Sequence, residues 1–509
     1  FNAPWLEQHA TGVEAILAAF ADVDVEEYAS RCGVPLDDLR RAAFAIADAR
    51  GTAVFEDLGV QMNRHSTLVS YLEKLLWTLC GHFGNPGGQY TVASLQHLGG
   101  SGRSSRKSPV VGAPIISGLV PCNVIAEEVL TDHPDRYRAM LVEAANPVHS
   151  LADSQRMREA MRSLDLVVVI DIAMTETARE ADYVLPAATQ YEKWEATFFN
   201  FENPDNYFHL RRPLFEPLGE SLPEAEIHAR LVEAAGAMPD ALCEELRELL
   251  ATQGRDAYRD RFMQALGEDP EVAKLAPVIL YRTLGPALPG GAAEGAVLWP
   301  LTLGLSMKES DSVRRAGFAG DAFTQADAVF DAIIDAHSGI VFARDEPGQS
   351  WQRMGTEDGR IRLVIPELLE ELQVLAKAPE PASAEFPFVL MAGERRDYSA
   401  NTIYRDAAWR RKDVEGSLRI SPHDAQRLGL ATGGQARITT AVGSALARVE
   451  VTDRMQPGHV SLPNGYGLDN ADGTRTGVAP NELTSVEQRD KYAGTPHHKL
   501  VPARIEAAA

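Results

Sequence analysis

The chain has 509 residues, which is too many for one compact core, and this length predicts about three domains. Hydrophobic residues make up 45% and charged residues 24% of the sequence, as in ordinary globular proteins, and no apolar run reaches the roughly 18 residues that cross a bilayer. The formal net charge of -23 argues against a nucleic-acid-binding protein, since that role needs clustered Lys and Arg side chains.

The four cysteines are far apart in the sequence: Cys32, Cys80, Cys122 and Cys243. Without a CxxC motif or a Cys/His pair at ligand spacing, they predict neither a local zinc site nor an iron–sulfur site, and so low a cysteine density favours a reducing, cytoplasmic compartment. Residues 1–15 carry neither the basic nor the apolar part of a signal peptide. We expect the chain to start at a processing site or within a longer polypeptide. A targeting peptide could have been lost together with the part that precedes residue 1.

Helical and strand patterns alternate in the first part of the chain. Residues 13–20, 36–49 and 67–79 have apolar side chains at helical spacing, and residues 52–55 are a candidate strand. This alternation predicts an α/β fold.

The pattern restarts after a glycine-rich loop at residues 81–102. We predict strands at residues 139–144, 166–170 and 183–185, and helices at residues 151–163 and 176–180. Such βαβ alternation predicts a doubly wound parallel sheet that binds ligands at the carboxyl ends of its strands.

A linker separates the last part of the chain from a mainly helical stretch. The helical period dominates residues 224–275, residues 286–291 are rich in Pro and Gly, and residues 377–387 are the clearest linker. Short strands with period two follow, at residues 388–391, 435–440, 445–452 and 459–462. Strands of this kind with glycine turns between them predict a small β-barrel.

One pair of loops has nucleotide-binding spacing. Asn146 and Pro147 follow the first predicted strand of the parallel sheet, and Asp171 ends the next one. In a doubly wound sheet such positions hold a phosphate and a ribose. The chain lacks GxGxxG, so a turn at Asn146-Pro147 and a helix cap at Asp171 stay open as the alternative.

Residues 166–193, LVVVIDIAMTETAREADYVLPAATQYEK, resemble the signature of the molybdopterin oxidoreductases related to dimethyl sulfoxide reductase, formate dehydrogenase and periplasmic nitrate reductase. The resemblance implies that Asp171 and Thr175 contact the guanosine of a molybdopterin guanine dinucleotide. It also implies that the stretch Thr175, Glu176 and Thr177 shapes the adjacent loop. A plain helix-capping motif is the alternative for this stretch.

Two further stretches near the start are similar to the same family. In LGVQMNRHS, residues 58–66, Gly59 and Gln61 match positions near one pterin, and LCGHFGNPGG, residues 79–88, resembles a family turn. A tight helix-ending turn is the alternative for the second stretch.

The loop that follows departs from the formate and periplasmic nitrate enzymes. It reads QHLGGSGRSSRK, residues 96–107, where those enzymes usually carry an Arg-Gly-Gln motif, and a formate or nitrate assignment is therefore weakened. His97, Arg103 and Arg106 are candidates to bind an anionic substrate, with a solvated basic loop as the alternative.

The predicted barrel carries the third region of resemblance. LMAGERRDYSANT, residues 390–402, resembles a family loop that meets the pterin and phosphates of a second dinucleotide. The resemblance gives that role to Gly393, Glu394, Asp397 and Ser399, although the family usually has His in place of Asp397.

The closing elements NELT and TPHHK place three more residues at the cofactor: Asn481, His498 and Lys499. An amide can pair with a pterin or guanine edge, and an ammonium can neutralise phosphate. A turn residue and a solvated charge are the alternatives for Asn481 and Lys499.

The resemblance implies an α/β fold with doubly wound parallel-sheet domains and a C-terminal six-stranded, double-psi-like β-barrel. We divide the chain into part of an α/β domain at residues 1–122, a Rossmann-like dinucleotide-binding domain with a helical insertion at 123–376, the linker at 377–387 and the barrel domain at 388–509.

The implied cofactor is a bis-molybdopterin guanine dinucleotide with molybdenum or tungsten. We expect the protein ligand of the metal, and a 4Fe-4S cluster, upstream of Phe1 in an N-terminal part of roughly 200–250 residues, on the same or another chain. The expected partners are a small-molecule substrate and an iron–sulfur or flavin electron-transfer protein, with neither nucleic acid nor membrane insertion.

Two classes of function compete. The first is an enzyme that performs two-electron redox chemistry, and the second is a non-catalytic electron-transfer scaffold similar to the large subunit of respiratory NADH dehydrogenase. The nucleotide-binding positions persist here, which favours the enzyme: Asp171, Thr175, Glu394, Asn481 and Lys499. An ordinary Rossmann module leaves the barrel and its closing motif unexplained.

Overall fold

A computed structural model of the chain describes residues 1–96, 105–196, 200–375, 377, 382–396, 399, 401–406, 409–410, 412–470 and 472–508. The first part contains α1 Ala3–His9, β1 Ala10–Thr11, α2 Val13–Ala19, α3 Val25–Cys32, α4 Leu36–Asp48, α5 Leu58–Gln61 and α6 Ser66–Leu79. The three helices predicted from periodicity are confirmed as α2, α4 and α6. Asp24 caps α3 by accepting a hydrogen bond from the Glu27 amide at 3.0 Å, and Gly33 ends that helix with φ of 67°.

The prediction of a strand at residues 52–55 is wrong, because this stretch is a loop in the structure. Its backbone is bonded by a side chain, since Gln89 Nε2 donates to the Val54 carbonyl at 2.9 Å. Without a neighbouring strand, an alternating stretch of four residues has no sheet to join.

The core of the first part also takes in residues from much later in the chain. Leu6, Ile16 and Leu68 pack in one buried cluster with Leu363 and Leu368. Strand β1 pairs in parallel with a short strand, β9 Ile361–Arg362, so that Ala10 lies opposite Ile361.

The middle part forms the predicted parallel sheet. Its elements are α7 Ile125–Val129, β2 Ala139–Glu143, α8 Pro147–Ser150, α9 Ser154–Ser163, β3 Leu166–Asp171 and β4 Tyr183–Pro186. Strands β2, β3 and β4 lie in this order and run parallel. The predicted α/β fold is confirmed, and the carboxyl ends of the three strands meet at one edge of the sheet.

A helical region follows, with its own core. Its elements are β5 Glu195–Ala196, β6 Asp205–Phe208, β7 Leu210–Arg211, α10 Glu224–Ala234, α11 Asp240–Gln253, α12 Arg255–Glu268, α13 Pro270–Lys274, α14 Ala276–Thr283, α15 Leu298–Arg315, α16 Ala322–Asp335, β8 Ile340–Arg344, α17 Gln349–Gln352, β9 Ile361–Arg362 and α18 Pro366–Leu375. Tyr258, Phe262, Trp299 and Phe330 are buried together there. None of the helices among the described residues combines the length and the hydrophobicity that a membrane-spanning helix requires.

The last part is a closed barrel. Its elements are β10 Phe388–Glu394, β11 Leu418–Ile420, α19 Pro422–Leu428, β12 Gln435–Thr439, β13 Ser444–Val451, β14 His459–Pro463, β15 Leu468–Asp469, β16 Arg475–Thr476 and β17 Val501–Ala507. Six strands close in the order β10-β14-β11-β13-β12-β17, which confirms the predicted six-stranded barrel. Strands β11 and β17 were not found in the sequence pattern. Alternate side chains such as Leu390, Ile438 and Ile505 fill the interior.

Candidate cofactor site

The first group of predicted residues lies at the carboxyl edge of the parallel sheet. Asn146 Nδ2 donates to Glu176 Oε2 at 2.6 Å, and Asn146 Oδ1 accepts from the amide and the hydroxyl of Thr177 at 3.1 and 2.8 Å. Thr175 Oγ1 accepts from the Ala178 amide at 3.1 Å and so caps a short 3₁₀ turn. All four side chains are buried, and they hold two loops of the sheet together.

Glu176 joins this edge to the barrel domain. Its Oε1 accepts from Arg405 Nη2 at 2.8 Å and from the Asp469 amide at 2.8 Å. Burial raises the pKa of this carboxyl, but the bonds from Arg405, Asn146 and the Asp469 backbone outweigh burial and lower the pKa to about 2. The side chain is therefore a buried carboxylate with a complete set of partners.

Asn481 and His149 add a second connection between the same two domains. Asn481 Nδ2 donates to the His149 carbonyl at 2.8 Å, and the Asp153 amide donates to the Thr484 carbonyl at 3.0 Å. The His149 ring is buried, its Nε2 atom has no hydrogen-bond partner among the described residues, and burial lowers its pKa to about 4. We call Asn146, Glu176, His149, Arg405 and Asn481 the sheet-edge cluster.

Asp171 and Pro147 flank the sheet-edge cluster. Asp171 ends β3, and its Oδ1 accepts from the Ala173 amide at 3.1 Å. Burial raises the pKa of this carboxyl. Pro147 is the first residue of α8, where a missing N–H costs no helical hydrogen bond.

A cavity of about 690 Å³ adjoins the sheet-edge cluster, since Arg405 of the cluster lines it together with Asp469, whose amide donates to Glu176. Its remaining lining residues include Met174, Arg179, Asn470 and Thr476. The cavity is also lined by Asp406 and Asp472, so its guanidinium, amide and hydroxyl groups are accompanied by carboxyls, and the lining as a whole suits a polar ligand.

The second group of predicted residues lies at the carboxyl end of β10. Lys499 Nζ donates to the carbonyls of Ala392 and Gly393 at 2.7 and 2.8 Å, and burial lowers the pKa of this amine to about 8. Gly393 has φ of 79°, and a side-chain Cβ there would lie 3.6 Å from Lys499 Nζ. A cation is thus held beside a bare stretch of backbone.

Glu394 does not present a free carboxylate at this position. It accepts from Arg419 Nη1 and Ser461 Oγ, each at 2.5 Å, and from Arg396 Nη2 at 2.9 Å. Burial raises its pKa, but these partners outweigh burial and lower the pKa. Ser399 Oγ accepts from the Arg396 amide at 3.1 Å. Both predicted residues therefore fix the position of Arg396.

His498 and the Gly59–Gln61 stretch complete this group. The His498 ring is buried, its Nε2 has no hydrogen-bond partner among the described residues, and burial lowers its pKa to about 4. The Lys499 amide donates to the Met62 carbonyl at 2.9 Å, which brings the segment with Gly59 and Gln61 next to the barrel. Gln61 lines a groove of about 680 Å³. We call Gly393, Lys499 and His498 the barrel-rim group.

The predicted substrate-binding residues are only partly described. His97 and Arg103, like Asp397 of the barrel loop, lie outside the described residues. Arg106 is exposed, and its carbonyl accepts from the Ile115 amide at 3.0 Å. Within the part of the chain that the structure describes, no group of three or more His, Cys, Asp or Glu side chains could hold a metal ion.

The sequence interpretation missed the arginines and one histidine of the site. Arg405 is 229 residues from Glu176 along the chain, and no local pattern connects the two residues. Arg396 and Arg419 are likewise recognisable only once the barrel has closed around Glu394. His149, however, follows the Asn146-Pro147 turn directly, and its position in that turn was a usable signal.

The geometry fits a large polar ligand with phosphate groups. At the barrel-rim group, the Lys499 ammonium lies beside the Gly393 backbone, and the buried Nε2 of His498 lacks a partner among the described residues. The cavity at the sheet edge has two guanidinium groups in its lining, those of Arg179 and Arg405, beside three carboxyls. Phosphates prefer such cations and exposed backbone, and a heterocycle can satisfy an unpaired imidazole.

Comparisons with known proteins agree with this geometry. Residues 57–234 match the family described as Molybdopterin oxidoreductase, and residues 388–502 match the Molydopterin dinucleotide binding domain. The chain is 25% identical over 479 residues to a dimethyl sulfoxide/trimethylamine N-oxide reductase of Cereibacter sphaeroides, covering 88% of this chain and 53% of that protein. It is 24% identical over 386 residues to the F420-dependent formate dehydrogenase subunit alpha of Methanocaldococcus jannaschii, covering 74% of this chain and 44% of that protein.

A solved structure shares the fold. Acetylene hydratase from Pelobacter acetylenicus superposes with a TM-score of 0.67 at 16% identity, covering 100% of this chain and 68% of the hydratase. The chain spans about half the length of the reductases it matches, 53% and 52%. The two matched domains, in this order and on this fold, show that the chain belongs to the molybdopterin oxidoreductase family.

Proposed function

We propose that the chain is the cofactor-binding portion of the catalytic subunit of a bis-molybdopterin guanine dinucleotide enzyme with molybdenum or tungsten. The enzyme performs two-electron redox chemistry on a small substrate. The observation that carries the proposal is the barrel-rim group, where a half-buried lysine and a buried histidine with no described partner for its Nε2 adjoin the bare Gly393 backbone. The family membership of the two domains supports the same function.

At the barrel rim, the chain would hold one dinucleotide through a few groups. Lys499 would neutralise phosphate charge, Gly393 would let backbone approach the ligand, and His498 would use its free Nε2 for a hydrogen bond. Because burial keeps the His498 imidazole neutral near pH 7, Nε2 can donate or accept there.

At the sheet edge, Asp171 would accept hydrogen bonds from the guanosine of the other dinucleotide. Glu176, Asn146 and Asn481 already have protein partners, so their role would be to fix the loops around the ligand. When bound, the metal and its dithiolene ligands supply the electron-transfer chemistry, while the protein orients the cofactor and excludes water.

The finer parts of the proposal concern what completes the enzyme. We propose a formate-like or oxyanion-like substrate, a cytoplasmic location and an iron–sulfur or flavin electron-transfer partner. The protein ligand of the metal and a 4Fe-4S cluster would come from a further segment, on the same or a separate polypeptide. The greater length of the related reductases supports that segment.

The test measures the cofactor itself in the enzyme purified from its natural source. We expect about one molybdenum or tungsten per chain by elemental analysis, and two guanosine monophosphates per metal after acid hydrolysis, as the bis-dinucleotide requires. A folded protein that contains neither metal nor guanosine monophosphate would overturn the proposal and favour the electron-transfer scaffold.

A pair of variants tests the barrel-rim group specifically. Lys499→Ala is expected to lower the guanosine monophosphate content severalfold, because it removes the cation beside Gly393. Lys308→Ala, at an exposed lysine of α15, is the matched control and should leave the content unchanged. Equal content in both variants contradicts the assignment of Lys499.

A further inference from the structure

The stretch between β10 and β11 connects the two candidate dinucleotide sites. It begins beside the barrel-rim group, where Arg396 bonds to Glu394 at the end of β10. Further along, Arg405 bonds to Glu176 of the sheet-edge cluster. We call this stretch the β10–β11 connection, of which the structure describes residues 395–396, 399, 401–406, 409–410 and 412–417. Whatever holds its two ends in place therefore bears on both sites.

Asp413 closes the base of the β10–β11 connection. Its Oδ2 accepts from Arg396 Nη1 at 2.8 Å, which joins the end of the connection to its start. Its Oδ1 accepts from the amides of Gly416 and Ser417 at 3.1 and 3.0 Å and from Ser417 Oγ at 3.0 Å. The ion pair is shielded from solvent, since the side chains of Arg396 and Asp413 are 7% and 21% exposed. One carboxylate therefore holds the residues that follow β10 against those that precede β11.

A second set of contacts anchors the same connection to the residues that follow β14. Arg410 is buried, its Nη2 donates to the Gly465 carbonyl at 2.6 Å, and its guanidinium carbon lies 4.3 Å from the centre of the Tyr466 ring. The Tyr466 hydroxyl donates to the Asp413 carbonyl at 2.8 Å. Gly416 has φ of 71°, and a Cβ there would lie only 2.6 Å from Tyr466 Cγ. Asp413 therefore belongs to a closely packed end of the connection.

We propose that Asp413 is a positioning residue for both dinucleotides of the cofactor, acting through Arg396 on the barrel rim and through the β10–β11 connection on Arg405. The inference rests on the proposed function and adds the residue that links its two binding sites. Fixing the ends of the connection before the ligand binds reduces the ordering that binding would otherwise require, and this favours binding.

Arg396 is the route from Asp413 to the barrel rim. Its Nε and Nη2 both donate to Glu394 Oε2, at 3.0 and 2.9 Å, while its Nη1 donates to Asp413. The Glu450 carboxylate is 3.9 Å from Nη1, which is outside hydrogen-bond distance. Removing the Asp413 charge leaves the guanidinium bonded to a carboxylate on one side only, next to the residue that follows Gly393. The backbone beside Lys499 then loses part of its support.

Arg405 is the route from Asp413 to the sheet edge. Its guanidinium donates to Glu176 Oε1 at 2.8 Å and to the Asp469 carbonyl at 3.2 Å, and it lines the cavity of about 690 Å³. Because Asp413 and Arg410 fix the end of the connection to the barrel, they restrict the positions that Arg405 can take. A change at Asp413 should therefore reach the sheet edge as well as the barrel rim.

The experiment compares the natural enzyme with two variants produced in the same host, Asp413→Asn and Asp424→Asn. Guanosine monophosphate per chain and the free energy of unfolding are measured for each. Asp413→Asn keeps the size of the side chain but removes its charge, and we expect the guanosine monophosphate content to fall severalfold.

Asp424→Asn is the matched control. Asp424 is also a buried carboxylate of the barrel domain, and it accepts from the Gly458 amide, Ser421 Oγ and Arg427 at 2.7, 2.8 and 2.9 Å. None of these partners belongs to the β10–β11 connection. The control variant should therefore lose stability as Asp413→Asn does, yet keep its guanosine monophosphate.

The outcomes separate positioning from a general loss of stability. A content that falls only in Asp413→Asn supports the proposal. Equal contents in the two variants, or contents that follow the free energy of unfolding in both, overturn it. A natural enzyme without guanosine monophosphate overturns the proposed function together with this inference, whereas a loaded enzyme that Asp413→Asn leaves unchanged overturns the inference alone.

Breaking the same ion pair from the other side tests the route through Arg396. Arg396→Gln leaves Asp413 bonded to Gly416 and Ser417 and leaves Glu394 bonded to Arg419, so each carboxylate keeps a partner. We expect a severalfold loss of guanosine monophosphate in this variant, and little further loss when Asp413→Asn is added, because both changes remove one contact. An unchanged content in Arg396→Gln, or losses that multiply in the double variant, would overturn the proposal even if Asp413→Asn alone fails to fold.

Discussion

The two groups of predicted cofactor residues differ in how far the protein already satisfies their polar atoms. In the sheet-edge cluster, both oxygens of Glu176 and both polar atoms of Asn146 have protein partners, while the buried Nε2 of His149 has none among the described residues. At the barrel rim, Lys499 is bonded only to backbone carbonyls and His498 Nε2 has no described partner. The first group therefore forms a joint between domains, whereas the second keeps an ammonium and an imidazole nitrogen that the proposed ligand would bind.

The largest expected effect on the free energy of unfolding is at the sheet-edge cluster, which forms the joint between the domains. Glu176→Ala leaves the half-buried Arg405 guanidinium without its carboxylate and the buried Asn146 amide without its acceptor, and each such loss costs about 1–3 kcal/mol. Urea denaturation followed by circular dichroism measures the free energy of unfolding. Glu159→Ala, at an exposed glutamate of α9, is the control. A loss below about 1 kcal/mol in Glu176→Ala contradicts the joint.

The next-largest expected effect is a pH dependence of the free energy of unfolding, caused by His498 at the barrel rim. Burial holds the pKa of His498 at about 4 in the folded protein against 6.5 in the unfolded chain. As the pH falls below about 6.5 the unfolded chain takes up the proton first, so the protein loses stability down to about pH 4, by up to about 3 kcal/mol. His498→Gln removes this loss and should flatten the stability profile between pH 6.5 and 4.

Two matched variants accompany His498→Gln. His149 also has a pKa of about 4, so His149→Gln should flatten the same window independently, whereas the exposed His133→Gln should not change it. An unchanged profile in His498→Gln shows that its ring is accessible to protons from solvent in the folded state.

The fold was predictable from the sequence where periodicity or a long motif specified it. Strand β3 is a continuous run of apolar residues, and its parallel neighbours follow from the βαβ order. Strand β11 was missed because it has three residues and pairs with β13 and β14 through contacts distant in sequence. A short strand of this kind is fixed by closure of the barrel rather than by its own pattern.

The candidate site was predictable as a set of positions but not as a set of contacts. The resemblance supplied Glu394 and Asn481 as cofactor positions, whereas the structure gives both of them protein partners. Only folding brings Arg419 to Glu394 and His149 to Asn481. Local sequence therefore indicates where polar loops lie, and tertiary packing decides which of their atoms stay free for a ligand.

A smaller effect tests whether Asn481 belongs to the joint or to the ligand site. Asn481→Ala removes the hydrogen bond to the buried His149 carbonyl and should lower the free energy of unfolding by about 1–2 kcal/mol even without cofactor. Urea denaturation measures this loss, and Gln155→Ala, at an exposed amide of α9, is the control. If stability is unchanged while guanosine monophosphate content falls, Asn481 acts on the ligand instead.

The smallest effect on stability is expected at Gly393. Gly393→Ala forces an L-residue to adopt φ of 79°, which costs about 1 kcal/mol, while its Cβ makes only an ordinary contact with Lys499 Nζ. Gly236→Ala, at φ of 67° with no neighbour within 4 Å, carries a similar backbone cost far from the barrel rim. Both variants should unfold at slightly lower urea concentration, but only Gly393→Ala should also lose guanosine monophosphate, because its methyl group covers the backbone beside Lys499. Equal guanosine monophosphate content in the two variants would show that Gly393 does not contribute to the ligand site. Its positive φ would then serve only the backbone turn at the end of β10.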